Sequence, residues 1–175
     1  MTRLGLIASV LAGLHLIVLL AGFAAPYDPV EQTRTLPFAP PAHLHFVDSR
    51  GQFHLRPFVY ALVPDSENFE SYVEDTTQRF PVQFMVSGSA YHVLPGLESR
   101  LHLFGVHAPA RISLLGTDGL GRDVLSRLLH GGRISIGAGL IATLCALLAG
   151  MGLGTLAGFF GGRVDSAVMR LADLF

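Results

Sequence analysis

The densest chemistry in the chain lies between Leu114 and Ser135. Gly116-Thr117-Asp118-Gly119-Leu120-Gly121-Arg122-Asp123 packs three glycines, two carboxylates, a hydroxyl and a guanidinium into eight positions. Closely spaced glycines let a backbone turn through left-handed conformations. Thr and Asp side chains accept backbone N–H bonds in turns and at helix starts. Thr117, Asp118 and Asp123 are therefore candidate caps for a following helix. Val124, Leu125, Leu128 and Leu129 form an apolar stripe, and Arg122, Arg127 and Arg133 lie off it. This is the pattern of a short amphipathic helix at a membrane surface. Gly131-Gly132 is expected to bend the chain out of that helix.

The remaining chemistry-bearing residues are sparser. His43-x-His45 places two imidazoles on one side of an extended segment, without acid or cysteine partners at ligand spacing, so no metal is assigned. A single cysteine, Cys145, can form neither an internal disulfide nor a zinc site. No Ser/His/Asp arrangement can be assembled by spacing, and there is no phosphate-binding loop of Walker type. No catalytic residue and no cofactor are assigned. Phe69, Tyr72 and Val73 fit one face of a short helix, with Asp65, Glu67, Glu70, Glu74 and Asp75 around it as a solvated acidic surface.

Two uncharged runs must position the turn. Leu4 to Tyr27 and Ile134 to Gly162 carry no formal charge. A bilayer core takes about 20 helical residues, and both runs exceed that. Charged residues make up 14% of the chain against about a quarter in soluble domains. That excludes a single soluble domain, and the 50% hydrophobic content excludes disorder. A net charge of −1 gives no basis for nucleic-acid binding. The run from Leu4 to Leu20 is longer than the apolar part of a usual signal peptide, so an uncleaved span is the preferred reading. His15 inside it is read as a neutral histidine bonded to a neighbouring helix. Gly150, Gly154, Gly158 and Gly162 recur every four residues, a seam that lets a partner helix approach closely.

Between the runs the pattern favours strands. His43–Asp48 and Gln52–Leu55 alternate around a Gly-containing loop and predict a hairpin. Phe80, Val82, Phe84 and Val86 predict a third strand, and Arg100–Phe104 a fourth. Pro57 and Pro81 are expected at edges or strand starts. The fold class is thus an α-helical integral membrane protein, with two complete transmembrane helices, the start of a third and a small β-rich extracytoplasmic insertion. Its divisions are a cytoplasmic N-terminus (1–3), transmembrane helix 1 (4–27), a periplasmic β-rich segment (28–113), the turn and amphipathic elbow helix (114–133), transmembrane helix 2 (134–160), a cytoplasmic turn (161–165) and the start of helix 3 (166–175). Arg3, Arg163 and Arg170 set the orientation with the N-terminus cytoplasmic.

Gly-Thr-Asp-x-x-Gly-Arg-Asp-Val-Leu-Ser-Arg-Leu from Gly116, followed by Gly131-x-Arg133-Ile134-Ser135, resembles the dipeptide/oligopeptide permease family of ABC importers, in its second, C-type subunit. Ala25-Pro26-Tyr27-Asp28-Pro29 resembles that family's exit from the first span, and Gly158–Asp173 its turn into the third. The longer middle segment, with His102–Val106 before the motif, is similar to members with an extended periplasmic insertion. The resemblance implies a bacterial inner-membrane, multi-pass permease without enzymatic activity. It would pair with a second permease subunit as a heterodimer, two ATPase subunits, a periplasmic substrate-binding protein and membrane lipid. It also implies that Gly116, Thr117, Asp118, Gly121, Arg122 and Asp123 contact the binding protein or gate the outer mouth. About six spans and a cytoplasmic Glu-Ala-Ala loop are expected of the family and are not found here. The chain therefore reads as an N-terminal part, either a fragment or a truncated product. A two-span sensor is the competing layout, but Val164–Phe175 reads as another hydrophobic helix rather than a polar, heptad-patterned signalling helix.

Overall fold

A computed structural model describes residues 3–66, 68, 71–94 and 96–173. It divides into two compact units, Met1–Arg133 and Ile134–Phe175. The first opens with helix α1 (Arg3–Leu19) and a single turn, α2 (Ala21–Ala24). Leu, Ile and Val occupy every side of α1, and none of its residues is buried. A helix apolar all round has no face to keep in water. Five strands follow: β1 (His45–Val47), β2 (Phe53–Pro64), β3 (Tyr72–Pro81), β4 (Gln83–Leu94) and β5 (Leu97–Gly105). They form a three-stranded antiparallel sheet in the order β1-β2-β3 and a separate β4-β5 hairpin.

The expected hairpin is present: β1 pairs with β2 through the turn at 48–52, where Asp48 Oδ1 accepts the N–H groups of Arg50 and Gln52. The fourth predicted strand lies within β5. Two strand expectations need correction. The predicted helix around Tyr72 and Val73 is instead the start of β3, with Val63 opposite Val73 and Pro64 opposite Tyr72. Cross-strand packing of these β-formers outweighs a weak helical spacing. Phe69, Glu67 and Glu70 lie outside the described residues. Glu74 and Asp75 are strand residues, not a helical acidic face, and Glu74 lies 3.4 Å from His43 Nδ1 and 2.9 Å from His45 Nε2. The alternation across Phe80–Val86 is cut in two: Phe80 ends in β3 and Phe84 begins in β4. Pro81 has no N–H to extend the ladder, and Val82 leaves it to donate to the Pro57 carbonyl. Pro81 lies on an edge strand as expected, at the end of β3 and not at a start, whereas Pro57 lies within the central strand β2, just before its pairing with β3 begins.

The core of this unit is small. Val59, Phe80, Val82, Ala110 and Ile112 form it, and Tyr27, Phe104 and Leu114 pack against it. A second cluster joins Ala21 and Ala25 to Leu129.

Helix α3 (Val124–Phe160) runs on through Gly131-Gly132, so the expected bend is not there. Gly132 has a different use: a Cβ there would sit 3.1 Å from the Val18 side chain, so glycine lets α1 come close. By length and composition α3 is able to cross a membrane; it is the one such helix among the described residues, and α1 is a shorter apolar helix. In the second unit α3 ends at Phe160. Gly161 and Gly162 both take left-handed backbone, φ 58° and 53°, and Gly161 N–H caps the Ala157 carbonyl. Helix α4 (Gly162–Ala172) is amphipathic, with Val164, Ala167 and Val168 on one side and Arg163, Ser166 and Arg170 on the other. It is more polar than the hydrophobic start expected there.

Candidate functional site: the Gly-Thr-Asp turn

The turn is built around backbone that only glycine adopts cheaply. Gly116 has φ +75° and Gly121 has φ +70°. A Cβ at Gly116 would lie 2.5 Å from the Ala39 carbonyl oxygen, and one at Gly121 would lie 2.0 Å from that of Thr33. Both glycines are thus required twice, for conformation and for close approach to the 33–39 segment.

That segment is strapped to the turn by hydrogen bonds. Thr117 Oγ1 accepts from Ala39 N–H at 2.8 Å and donates to the Leu36 carbonyl at 2.5 Å, while its N–H donates to Ala39 O at 3.0 Å. Thr33 N–H donates to Gly121 O, and Phe38 N–H to Asp118 O. Thr117 and Asp123 form an isolated antiparallel bridge, which closes the turn on itself.

The charged residues hold the interior of the loop. Asp118 Oδ1 accepts the N–H groups of Leu120 and Arg122 at 2.9 and 3.0 Å. Its Oδ2 accepts from Arg122 Nε at 2.8 Å and from Arg127 Nη1. Burial opposes the charged carboxylate, but the two N–H groups and the Arg122 guanidinium outweigh it and hold its pKa at about 2. Asp123 is buried, and its Oδ2 accepts both the N–H and the hydroxyl of Ser126, at 2.7 and 2.6 Å. That is an N-cap for α3, with the Asp three residues before the bonded N–H. Ser126 Oγ accepts in turn from Tyr27 N–H at 3.3 Å, tying the helix start to the end of α2.

The polar members of the motif are thus brought together, and their bonds are made within the fold, except that Asp123 Oδ1 is buried without a partner among the described residues. Two apolar side chains are exposed beside them: Phe38, at φ 53° and 77% exposed with its ring against Gly119, and Leu120, 51% exposed. The predicted seam is only partly on one helix. Gly150, Gly154 and Gly158 lie on α3 with open space around them among the described residues. Gly162 opens α4 instead, because Gly161 has already broken the helix.

Sequence reasoning missed the supports. Tyr27 accepts the Ile112 N–H at 2.8 Å and carries the Arg111 guanidinium 3.9 Å from its ring centroid, and Arg111 is paired with Glu31 at 2.6 Å. His102 is buried with Nδ1 2.6 Å from the Ala25 carbonyl and Nε2 2.9 Å from that of Ser89, joining the end of α2 to β4. All but the His102–Ser89 contact link residues about 80 positions apart, and no local pattern marks them.

Part of the chain is similar in sequence to transport system permease proteins. The chain is 48% identical over 61 residues to the dipeptide transport system permease protein of Haemophilus influenzae, covering 35% of this chain and 21% of that one. Over 61 residues it is 51% identical to the nickel transport system permease protein of Escherichia coli (35% and 22%), and 52% identical to the di/tripeptide transport system permease protein of Pseudomonas aeruginosa (35% and 20%). Over that stretch the chain is similar to the C-type permease subunits of peptide and nickel transport systems. The match spans about a fifth of the length of these relatives. No family model matches the chain, and no solved structure matches it significantly.

Proposed function

We propose that the chain acts as a permease subunit of a bacterial inner-membrane ABC importer for peptides or peptide-like solutes, with ATP hydrolysed on partner subunits. The observation that carries this reading is the identity of about half over 61 residues to dipeptide and di/tripeptide permeases. The exposed apolar surfaces of α1 and α3 agree with helices that face lipid and partner helices rather than water. In this reading α1 with α2 is the first span, α3 the second, and α4 the approach to the third, with the N-terminus cytoplasmic. The partners are a second permease subunit, two ATPase subunits and a periplasmic binding protein. The open glycines on α3 receive a helix of the second permease. The Gly116–Asp123 turn fixes the outer end of α3, and the apolar tips beside it meet the binding protein or form the outer gate.

The test is uptake. The full chain is co-expressed with its neighbouring ATPase, permease and binding-protein genes in a strain lacking peptide importers, and entry of labelled dipeptide and of nickel is measured. Dipeptide uptake that requires the chain supports the proposal. Nickel uptake alone replaces the substrate class, and uptake indifferent to the chain removes the function.

A further inference from the structure

We infer that the β-rich insertion carries a subsite for a carboxylate attached to an apolar group, as at the C-terminus of a peptide. The ligand class rests on the peptide-importer reading above, whereas the anion chemistry comes from the site itself. A cavity of about 260 Å³ opens on the β2-β3 sheet, lined by His54, Leu55, Arg56, Phe58, Arg79 and Pro81. His54, Leu55, Arg56 and Phe58 line it from β2, where the pairing with β1 is irregular. Arg79 is opposite Tyr60 in register and joins them from β3.

One cation of this set is pinned and another is free. Arg79 Nη1 lies 3.1 Å from Asp48 Oδ2, its guanidinium is 5.8 Å from the centre of the Phe58 ring, and it contacts His54. Asp48 is itself committed: its side chain is 5% exposed and bonded by the N–H groups of Arg50 and Gln52. It balances one guanidinium. Arg56 has no hydrogen-bond or ion-pair partner among the described residues and lines the same cavity. Among the described residues the site therefore holds an uncompensated positive charge beside a pre-oriented planar fork, the arrangement that binds carboxylates in bidentate fashion. Its other walls, Leu55, Phe58 and Pro81, are apolar and suit a hydrocarbon side chain. The volume is below the roughly 300 Å³ of the smallest whole-ligand pockets, so it fits one end of a ligand rather than all of it.

The experiment is calorimetric titration of the full chain in lipid nanodiscs with alanyl-phenylalanine, with its C-terminal amide and with inorganic phosphate. The free acid is expected to bind, and the amide about tenfold more weakly or worse. Arg56→Gln should weaken the acid by about tenfold while leaving its own thermal unfolding midpoint unchanged, and Arg56→Lys should recover part of the loss. Equal affinity for acid and amide, no binding of the acid, or wild-type affinity in Arg56→Gln overturns the subsite. Phosphate binding without acid binding overturns the ligand class. Binding that persists when uptake fails leaves the subsite standing without the importer, and uptake without binding removes the subsite alone.

Discussion

Substituting Gly121 by Ala should destabilise the fold far more than the same change at Gly51, although the two backbones are nearly alike. Gly51 has φ +77° with nothing within 4 Å of a Cβ, whereas Gly121 has φ +70° with the Thr33 carbonyl oxygen 2.0 Å away. The left-handed conformation costs a residue with a Cβ about 1–2 kcal/mol at either position. At Gly51 that is the whole effect. At Gly121 the Thr33 carbonyl must also retreat by more than roughly an ångström to reach ordinary contact near 3.5 Å. It accepts the Leu36 N–H at 2.9 Å, and the Thr33 N–H donates to Gly121 O at 3.2 Å. Losing these two bonds adds about 2 kcal/mol. The total is about 3–4 kcal/mol at Gly121 against about 1–2 at Gly51. For a chain of this size the difference corresponds to a gap in Tm of roughly 4–8 °C. Thermal unfolding of both variants in detergent, followed by circular dichroism, measures it. Equal shifts for the two variants would refute the claim that close packing of the strap against the turn is what requires Gly121.

Asp118 ties stability to pH. Its folded pKa, about 2, lies below the ordinary carboxylate value of about 3.9, so its contribution is present above about pH 4 and is lost as pH falls through 2. Asp118→Asn should cost on the order of 1–2 kcal/mol at pH 7, allowing for solvent screening, and flatten the acid limb of a stability–pH curve; an unchanged limb argues against the ion cluster. Asp123→Ala removes the α3 N-cap at a cost of about 1–2 kcal/mol, seen as faster amide exchange at Ser126 and Arg127, whereas Asp123→Ser should lose much less. Gly154→Leu should leave the Tm of the chain alone unchanged, because nothing lies within 4 Å, yet reduce co-purification with the second permease; an undiminished yield counts against the seam.

The parts of this fold that were legible in sequence are those set by local composition. Uniform apolarity marked α1 and α3, and alternation around Ser49-Arg50-Gly51 marked the first hairpin. Residue type marked Thr117, Asp118 and Asp123 as candidate caps, and Asp123 is the one that caps α3. What was misread depended on partners distant in the chain. The Tyr72-Val73 pair is compatible with helix or strand in isolation, and β2 decides the matter by supplying cross-strand neighbours. Gly131-Gly132 reads locally as a breaker, but a helix accepts glycine where another backbone needs the space, and Val18 supplies that need. The Gly150-to-Gly162 spacing was read as one register. A left-handed Gly161 ends the helix before the fourth glycine, a consequence of a φ angle that spacing does not encode.

The same distinction separates the roles of residues within the turn. A motif rich in Asp, Arg and Thr suggests polar groups offered to a partner. In the fold, Thr117, Asp118 and Asp123 direct their hydrogen bonds to residues 36–39, to the loop interior and to Ser126. Each bond made internally is one a partner would have to break, at the cost of leaving a buried group unsatisfied. What the turn fixes is therefore shape: where α3 begins and where Phe38 and Leu120 project. Phe38 shows this most clearly. Its left-handed backbone is uncommon for an aromatic residue, and it is held there by its N–H bond to the Asp118 carbonyl while the ring stays 77% exposed beside Gly119. The polar motif supplies the geometry that holds an apolar side chain outward, where an apolar partner surface would gain from covering it.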